Sequence, residues 1–453
     1  MKIEVISWVV FIAYGVWMFL ISPRVRGADK EAQFFEGKGE DGKEVSLLFL
    51  CSSLLVSWIF AKSIQNAADL GQSLGLPGGM AYASYWLSFI TAGYVLYSIR
   101  QSGFKSLHQF LGRKYGPTSI WLFSLILLFR LWNEIWSNTI VVGQYFGEIG
   151  SVGYYLGTWA TTGVVLAYAL KGGMRSSIIT DTVQMGLFLI ILFIIAAFIL
   201  PQGDTSEMLS SGEWTLGGGV DLILVALIQI WSYPFHDPVL TDRAFITESR
   251  KMKRAFLIAG GVGFACILLF SLTGVFNRIS GLGGNSTMTT ARYFGLPILI
   301  AMNLIMMISA TSTLDSTLTS TGKLVAVDLF PKLRINKILL ARIALVCLAV
   351  LGNLMVHLDP SILSATTVSG TMVIGLTPVF LLHRWRRAGA VSYWVSVLSG
   401  AGFGLAYALD AVPLVIGNGK YGALLGANIM GVITSFVLFS LAAMLFPQKS
   451  DEV

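Results

Sequence analysis

Apolar runs of about 20 residues, the length of helix that crosses a bilayer's hydrocarbon core, recur along this chain and leave it little choice of fold. There are thirteen, at residues 4–22, 46–73, 78–100, 117–147, 152–170, 176–200, 218–236, 255–276, 294–326, 336–357, 361–383, 390–409 and 422–446. In lipid each backbone N–H and C=O must find its partner within its own segment, so the runs are expected to be helices. Composition agrees: 12% of residues are charged, against about 25% in soluble chains. The first run does not resemble a cleavable signal, because Lys2 is the only basic residue before it and no small-residue cleavage site follows. The expectation is an all-α integral membrane protein with 13 transmembrane helices.

The net charge of +7 follows from topology. With the N-terminus outside, the inward loops and tail carry 23 Lys and Arg and the outward side carries 4. By the positive-inside rule this predicts an outside N-terminus and a cytoplasmic C-terminus in the plasma (inner) membrane. The basic excess therefore calls for no nucleic acid. Cys51, Cys266 and Cys347 fall inside predicted helices, without disulfide or zinc spacing. His108, His236, His357 and His383 are scattered. With no metal cluster or nucleophile constellation, the chain does not read as an enzyme.

The ninth run is the most polar. In the stretch Met302 to Phe330, MNLIMMISATSTLDSTLTSTGKLVAVDLF, the roughly three helical turns from Ser309 to Thr319 hold seven hydroxyl side chains (Ser309, Thr311, Ser312, Thr313, Ser316, Thr317 and Thr319) and Asp315. Polar groups at membrane depth are costly and tend to mark ion or substrate paths. Ser312, Thr313, Asp315 and Ser316 share one helix face. Converging hard oxygens suit a hard, weakly held cation such as Na⁺. The plainer alternative is that Ser and Thr bond back to their own helix and assist packing.

Four other runs are interrupted or carry polar groups. In the second, Lys62, Ser63, Gln65, Asn66 and Asp69 break the apolar pattern before Gly71, as in the discontinuous helices that line transporter cavities. Lys62 lies too deep to snorkel easily, which points to a cavity or a buried pair. The fourth run places Arg130, Asn133, Glu134, Ser137 and Asn138 at helical spacing. Arg130 and Glu134 can pair with each other at i,i+4, or one of them meets substrate or Lys62. The sixth places Asp181 and Gln184 one turn apart, and an isolated membrane carboxylate is expected to be neutral or paired with a cation. The seventh ends in IWSYPFHDPVLTDR, where Pro234 and Pro238 prevent regular helix.

Two broken helices five runs apart suggest an inverted repeat. The expected domains are 1–45, an N-terminal helix and cytoplasmic loop; 46–200 and 218–383, the two repeats; and 390–453, two accessory helices and a tail. Candidate substrate-binding residues are Lys62, Ser63, Gln65, Asn66, Arg130, Asn133, Glu134, Trp231 and Tyr233. Lys62 and Arg130 suggest an anionic group on the solute, although Glu134 and Asp69 could cancel both.

Four segments carry a resemblance to the solute:sodium symporter family. FFEGK (Phe34 to Lys38) is similar to its FFxAGR, and GGMRSSIITDTVQ (Gly172 to Gln184) to its GGxxAxxxTDxxQ. TDRAF (Thr241 to Phe245) is a weaker echo, and STLDSTL followed by Asp328 resembles STxDSxL…D. The resemblance implies a LeuT-type fold of five-plus-five inverted repeats, with one extra helix before and two after. It implies a first sodium site from the carbonyls of Ala61, Ile64 and Ser309 and the hydroxyls of Ser312 and Thr313. A second sodium, which some members hold, would use Asp181, Ser312, Asp315 and Ser316. Lys62 departs from the family pattern beside those carbonyls. The expected function is Na⁺-driven symport of a small polar solute by alternating access, in a lipid bilayer, as a monomer or homodimer. Two rivals are proton coupling with Lys62 as an internal cation, and a sensor that moves nothing.

Overall fold

The computed structural model describes residues 3–39, 42–358 and 362–448. Glu40 and Asp41 of the FFEGKGEDGK segment, Ser361 at the start of the eleventh run and the end of the tail lie outside them. The described chain is helical. Its first third holds Ile3–Ile21 (α1), Lys30–Glu36 (α2), Leu47–Trp58 (α3), Ala61–Leu74 (α4), Leu76–Ser84 (α5), Ser88–Gln101 (α6), Leu107–Tyr115 (α7) and Pro117–Gly143 (α8). Then come Val152–Ile199 (α9), Thr205–Ser210 (α10), Val220–Gln229 (α11), Pro238–Arg243 (α12), Ser249–Ile279 (α13) and Ser286–Tyr293 (α14). The last third holds Leu296–Lys323 (α15), Lys337–Leu354 (α16), Ile362–Met372 (α17), Leu376–Leu381 (α18), Ala390–Ala408 (α19) and Gly422–Leu445 (α20). Among the described residues, six helices are long and apolar enough to cross a membrane, or up to seven if the pair α3 and α4, bent by 57°, counts as one span.

The chain packs as two compact units. The first comprises Met1–Gly79, Leu131–Ser211 and Ala265–Ile362. At its centre is α15, buried continuously from Ile305 to Gly322 and packed against α9, α16, α3 and α1. This enclosure by protein lets α15 carry so many hydroxyls without presenting them to lipid. The expected runs 152–170 and 176–200 are two helices that meet at a break at Gly173 (φ 56°, ψ −142°) within the α9 range. A side chain there would meet a left-handed backbone and would also place its Cβ 2.5 Å from the Phe34 carbonyl oxygen. Within the same unit α4 crosses the end of α13 closely, and a Cβ on Gly274 would lie 1.7 Å from the Ala68 carbonyl oxygen.

The second unit comprises Met80–Arg130, Gly212–Phe264 and Leu363–Val453. The helices α19 and α20 pack on each other, and α20 on α11 and α18. A buried hydrogen-bond chain links three of its segments: Tyr85 donates to Gln229 (2.7 Å), Gln229 to Asn428 (2.9 Å) and Asn428 to Thr371 (3.0 Å). The outer face of α20 exposes Ile433, Val437, Leu441 and Met444, an apolar stripe at three-and-four spacing that suits lipid. The seventh run is interrupted as its prolines predict. Helix α11 stops at Gln229, a short 3₁₀ turn covers Tyr233–His236, and α12 restarts at Pro238. Asp237 caps that restart, accepting from the N–H groups of Val239 (3.0 Å) and Leu240 (3.3 Å).

Candidate cation and solute site

The site in the first unit begins where α3 stops. The sequence Trp58-Ile59-Phe60 holds neither Gly nor Pro, yet Ile59 (φ −82°, ψ 73°) leaves the helical region and Phe60 (φ −62°, ψ 146°) is extended. The last carbonyls of α3 and the first N–H groups of α4 lose their in-helix partners at such a break, and neighbouring helices satisfy two of them. The Thr313 hydroxyl of α15 lies 3.3 Å from the Ser57 carbonyl and shares its one hydrogen between it and the Ser309 carbonyl of its own helix (2.9 Å). The Lys62 N–H donates to the side chain of Asn138 on α8 (3.4 Å). The break therefore falls just before the polar run. Lys62, Ser63, Gln65, Asn66 and Asp69 all lie in the regular helix α4. Ala61 and Ile64 are also inside α4, and the carbonyl found against Thr313 is that of Ser57.

The other half of the site is built around Asp181, which is fully buried on α9 beyond the Gly173 break. Its Oδ1 accepts the hydroxyl of Ser312 from α15 (2.5 Å). Its Oδ2 accepts hydroxyls from Ser53 (2.5 Å) and Ser57 (3.2 Å) of α3, and from Ser177 (3.4 Å) one turn earlier on α9. Ser316 extends the cage, at 2.8 Å from the Ser57 hydroxyl and 3.2 Å from that of Ser177. Asp315, also fully buried, accepts the Thr180 hydroxyl (2.9 Å). The carbonyl of Ser309 accepts Thr313 (2.9 Å), while the Ser309 hydroxyl is buried with no hydrogen-bond partner among the described residues. Two carboxylates, several hydroxyls and a break carbonyl form a donor set of hard oxygens, the chemistry a Na⁺ or similar cation requires. Sequence reasoning identified Asp181, Ser312, Thr313, Asp315 and Ser316. It missed Ser53, Ser57 and Ser177, whose only signal is i,i+4 spacing to one another or to Asp181.

Lys62 does not point to water. Its ammonium, fully buried, lies 2.7 Å from Glu134 and 3.0 Å from Ser137, with the Phe60 ring 5.1 Å away. The second Glu134 oxygen accepts from Asn138 (2.9 Å). Gln65 donates to Asp69 (2.8 Å) and accepts from Thr287 (2.6 Å), and Asp69 also accepts from Ser286 (2.5 Å), so this face of α4 is tied to α14. Ser63, Asn66 and Asn133 are buried in the same unit. In the second unit Arg130 meets Asp237 (3.2 Å) and stacks on Tyr233, 5.3 Å from its ring centre. Tyr233 in turn lies 5.5 Å from Tyr85. Trp231 is 39% exposed. The structure thus brings Lys62 to Glu134, and Arg130 to Tyr233.

Residues 42–211 match the sodium:solute symporter family. A curated relative, the high-affinity proline transporter PutP of Bacillus subtilis (strain 168), is 28% identical over 248 residues. That match covers 48% of this chain and spans about half (51%) of the relative's length. Among solved structures, the fold is similar to that of a Na⁺-coupled sialic acid symporter in a substrate-bound outward-open state, with a TM-score of 0.75 at 17% identity over 98% of each chain. It is also similar to that of Mhp1, a nucleobase-cation-symport-1 family transporter with bromovinylhydantoin bound in a closed conformation, with a TM-score of 0.57 at 13% identity over 93% of this chain and 96% of that one. The chain is thus similar to the sodium:solute symporter family over residues 42–211, and its fold is similar over nearly its whole length to that of these LeuT-like transporters.

Proposed function

We propose that this chain couples the entry of Na⁺ to that of a small polar organic solute by alternating access. The observation that carries the reading is the buried cage in which Asp181 of α9 takes hydroxyl hydrogens from both α3 and α15. A cation drawn into that cage would bind oxygens from three helices at once and so favour the state in which they are together. One ion lies at Ser309, Ser312 and Thr313. Its backbone ligands are the carbonyls of Ala61 and Ile64 just after the break, with the Ser57 carbonyl beside Thr313 as a further ligand. A second ion uses Asp181, Asp315 and Ser316 and shares Ser312 with the first. The residues proposed to contact solute are Lys62, Ser63, Gln65, Asn66, Asn133 and Glu134 in the first unit and Arg130, Trp231 and Tyr233 in the second.

The same reading has thirteen spans, with 46–200 and 218–383 as inverted repeats between an N-terminal 1–45 segment and an accessory 390–453 segment. The N-terminus is outside, the C-terminus is cytoplasmic, and the working unit is a monomer or homodimer. The 23-to-4 division of Lys and Arg supports this orientation. A proton-coupled variant keeps the fold and uses Lys62 as an internal cation; its buried pair with Glu134 favours considering it. Reconstituted protein separates the two. Under the sodium reading, an inward Na⁺ gradient drives solute uptake and a pH gradient in sodium-free buffer does not. Uptake driven by the pH gradient alone would overturn the reading. A thermal-shift screen against metabolite libraries with and without Na⁺ identifies the solute.

A further inference from the structure

An open, mainly apolar groove of about 710 Å³ lies in the first unit, where the end of α1, the middle of α9 and the first turns of α16 meet. Its apolar lining includes Phe19, Val346 and Cys347, all exposed. Three cations also line it, Arg24, Lys171 and Arg342, and none of the described lining residues is a carboxylate. Two of the cations are pinned by the backbone: Lys171 donates to the Phe19 carbonyl (2.7 Å), and the Arg342 Nε–H to that of Leu170 (2.9 Å). Each bond uses one donor of a group that has several, so the rest of the ammonium and guanidinium hydrogens stay available. Arg24 and Lys171 are close enough to repel one another.

Like charges gathered beside apolar surface fit a ligand with an anionic head and a hydrocarbon tail, since each half removes a cost the other leaves. Arg24 and Lys171 belong to segments counted on the side where Lys and Arg concentrate, and Arg342 lies in the second turn of α16, next to the basic segment 332–337 of that side. Basic pockets between helices on the cytoplasmic side bind anionic lipid headgroups. We propose that this groove holds an anionic phospholipid of the cytoplasmic leaflet, its phosphate among Arg24, Lys171 and Arg342 and an acyl chain along Phe19, Val346 and Cys347. The lipid ties α1 to α9 and α16. The leaflet rests on the orientation proposed above; the binding does not.

Native mass spectrometry of the full-length protein in detergent, titrated with phosphatidylglycerol and phosphatidylcholine, tests the assignment. The wild type should retain one phosphatidylglycerol with a preference on the order of tenfold over phosphatidylcholine. Lys171→Gln/Arg342→Gln should abolish the preference. Val346→Trp, which fills the groove without changing charge, should lower occupancy by phosphatidylglycerol. If the double variant does not fold, Arg24→Gln, at an exposed position, and Val346→Trp carry the test. Equal retention of both lipids by the wild type, or an unchanged preference in the variants that fold, would overturn the proposal. So would displacement of phosphatidylglycerol by millimolar inorganic phosphate, because an anion site alone needs no acyl chain. Labelling of Lys420→Cys from outside, compared with the unsubstituted protein and its exposed Cys347, reads the orientation separately.

Discussion

A carboxylate removed from water holds its charge only when something replaces the lost solvation, and Asp181 receives hydroxyl hydrogens from Ser53, Ser57, Ser177 and Ser312. The same oxygens can turn toward a cation, because a hydroxyl both donates and accepts. Ser312→Ala removes a ligand shared by both proposed ions, whereas Thr313→Ala removes one from a single site. We expect Na⁺ half-saturation of uptake to rise on the order of tenfold in each, with the larger loss in Ser312→Ala. Wild-type half-saturation in both variants would place the ion elsewhere. Asp181→Asn should lower the number of Na⁺ carried per solute or abolish transport, read as the ratio of ²²Na⁺ flux to solute flux; an unchanged ratio would leave the carboxylate a structural role. The α15 half of this cage was legible in the sequence, because Ser312, Asp315 and Ser316 form a dense polar patch on one helix. The α3 half was not. Ser53 and Ser57 sit, with Ser52, in a mainly apolar helix, where serine ordinarily bonds to its own backbone, and nothing in their spacing says which helix they face.

At the scale of elements, the break between α3 and α4 shows how a polar pattern can signal an interruption and misplace it. Lys62 to Asp69 disturb the hydropathy, yet they lie in regular helix because protein surrounds most of them. The chain turns instead at Ile59–Phe60, where Asn138 and Thr313 take up the released backbone groups. A β-branched and aromatic run only weakly disfavours helix, so no local signal marks the turn. The proline-bearing break after α11 was legible for the opposite reason. Buried pairing of Lys62 with Glu134 gives a direct test. Removing one member of a buried pair costs about 3–5 kcal/mol, so Lys62→Met should lower the unfolding temperature markedly. Lys62→Met/Glu134→Gln should recover part of that loss. A Lys62→Met protein as stable as wild type that fails only to bind solute would assign the ammonium to the solute. Close packing can be tested on Gly274, whose added methyl group would strike the Ala68 carbonyl. Gly274→Ala should force α13 away from α4 and reduce stability by about 1–3 kcal/mol; an unchanged melting temperature would mean that the crossing adjusts freely.

For the whole molecule, the proposed cation cage makes stability a readout of ion binding. Any ligand that binds the folded protein and not the unfolded chain stabilises it by RT ln(1 + [L]/Kd). Above its dissociation constant, each bound ion therefore adds about 1.4 kcal/mol per tenfold rise in concentration. One sodium predicts that slope, and two bound together predict about twice it. The measurement is unfolding of the purified protein at constant ionic strength, with Na⁺ replacing a large organic cation. Constant ionic strength matters because screening would otherwise change surface interactions as the ion is varied. We expect a slope near the two-ion value in the wild type, falling toward the one-ion value in Asp181→Asn. K⁺ should produce little stabilisation, because Na⁺ and K⁺ differ in the oxygen cage they fit. Solute added at saturating Na⁺ should raise stability more than solute added without it, since coupling between two ligands is reciprocal. A flat response to Na⁺ in both the presence and the absence of solute would remove sodium from the mechanism, however well the oxygens of α3, α9 and α15 are arranged to receive it.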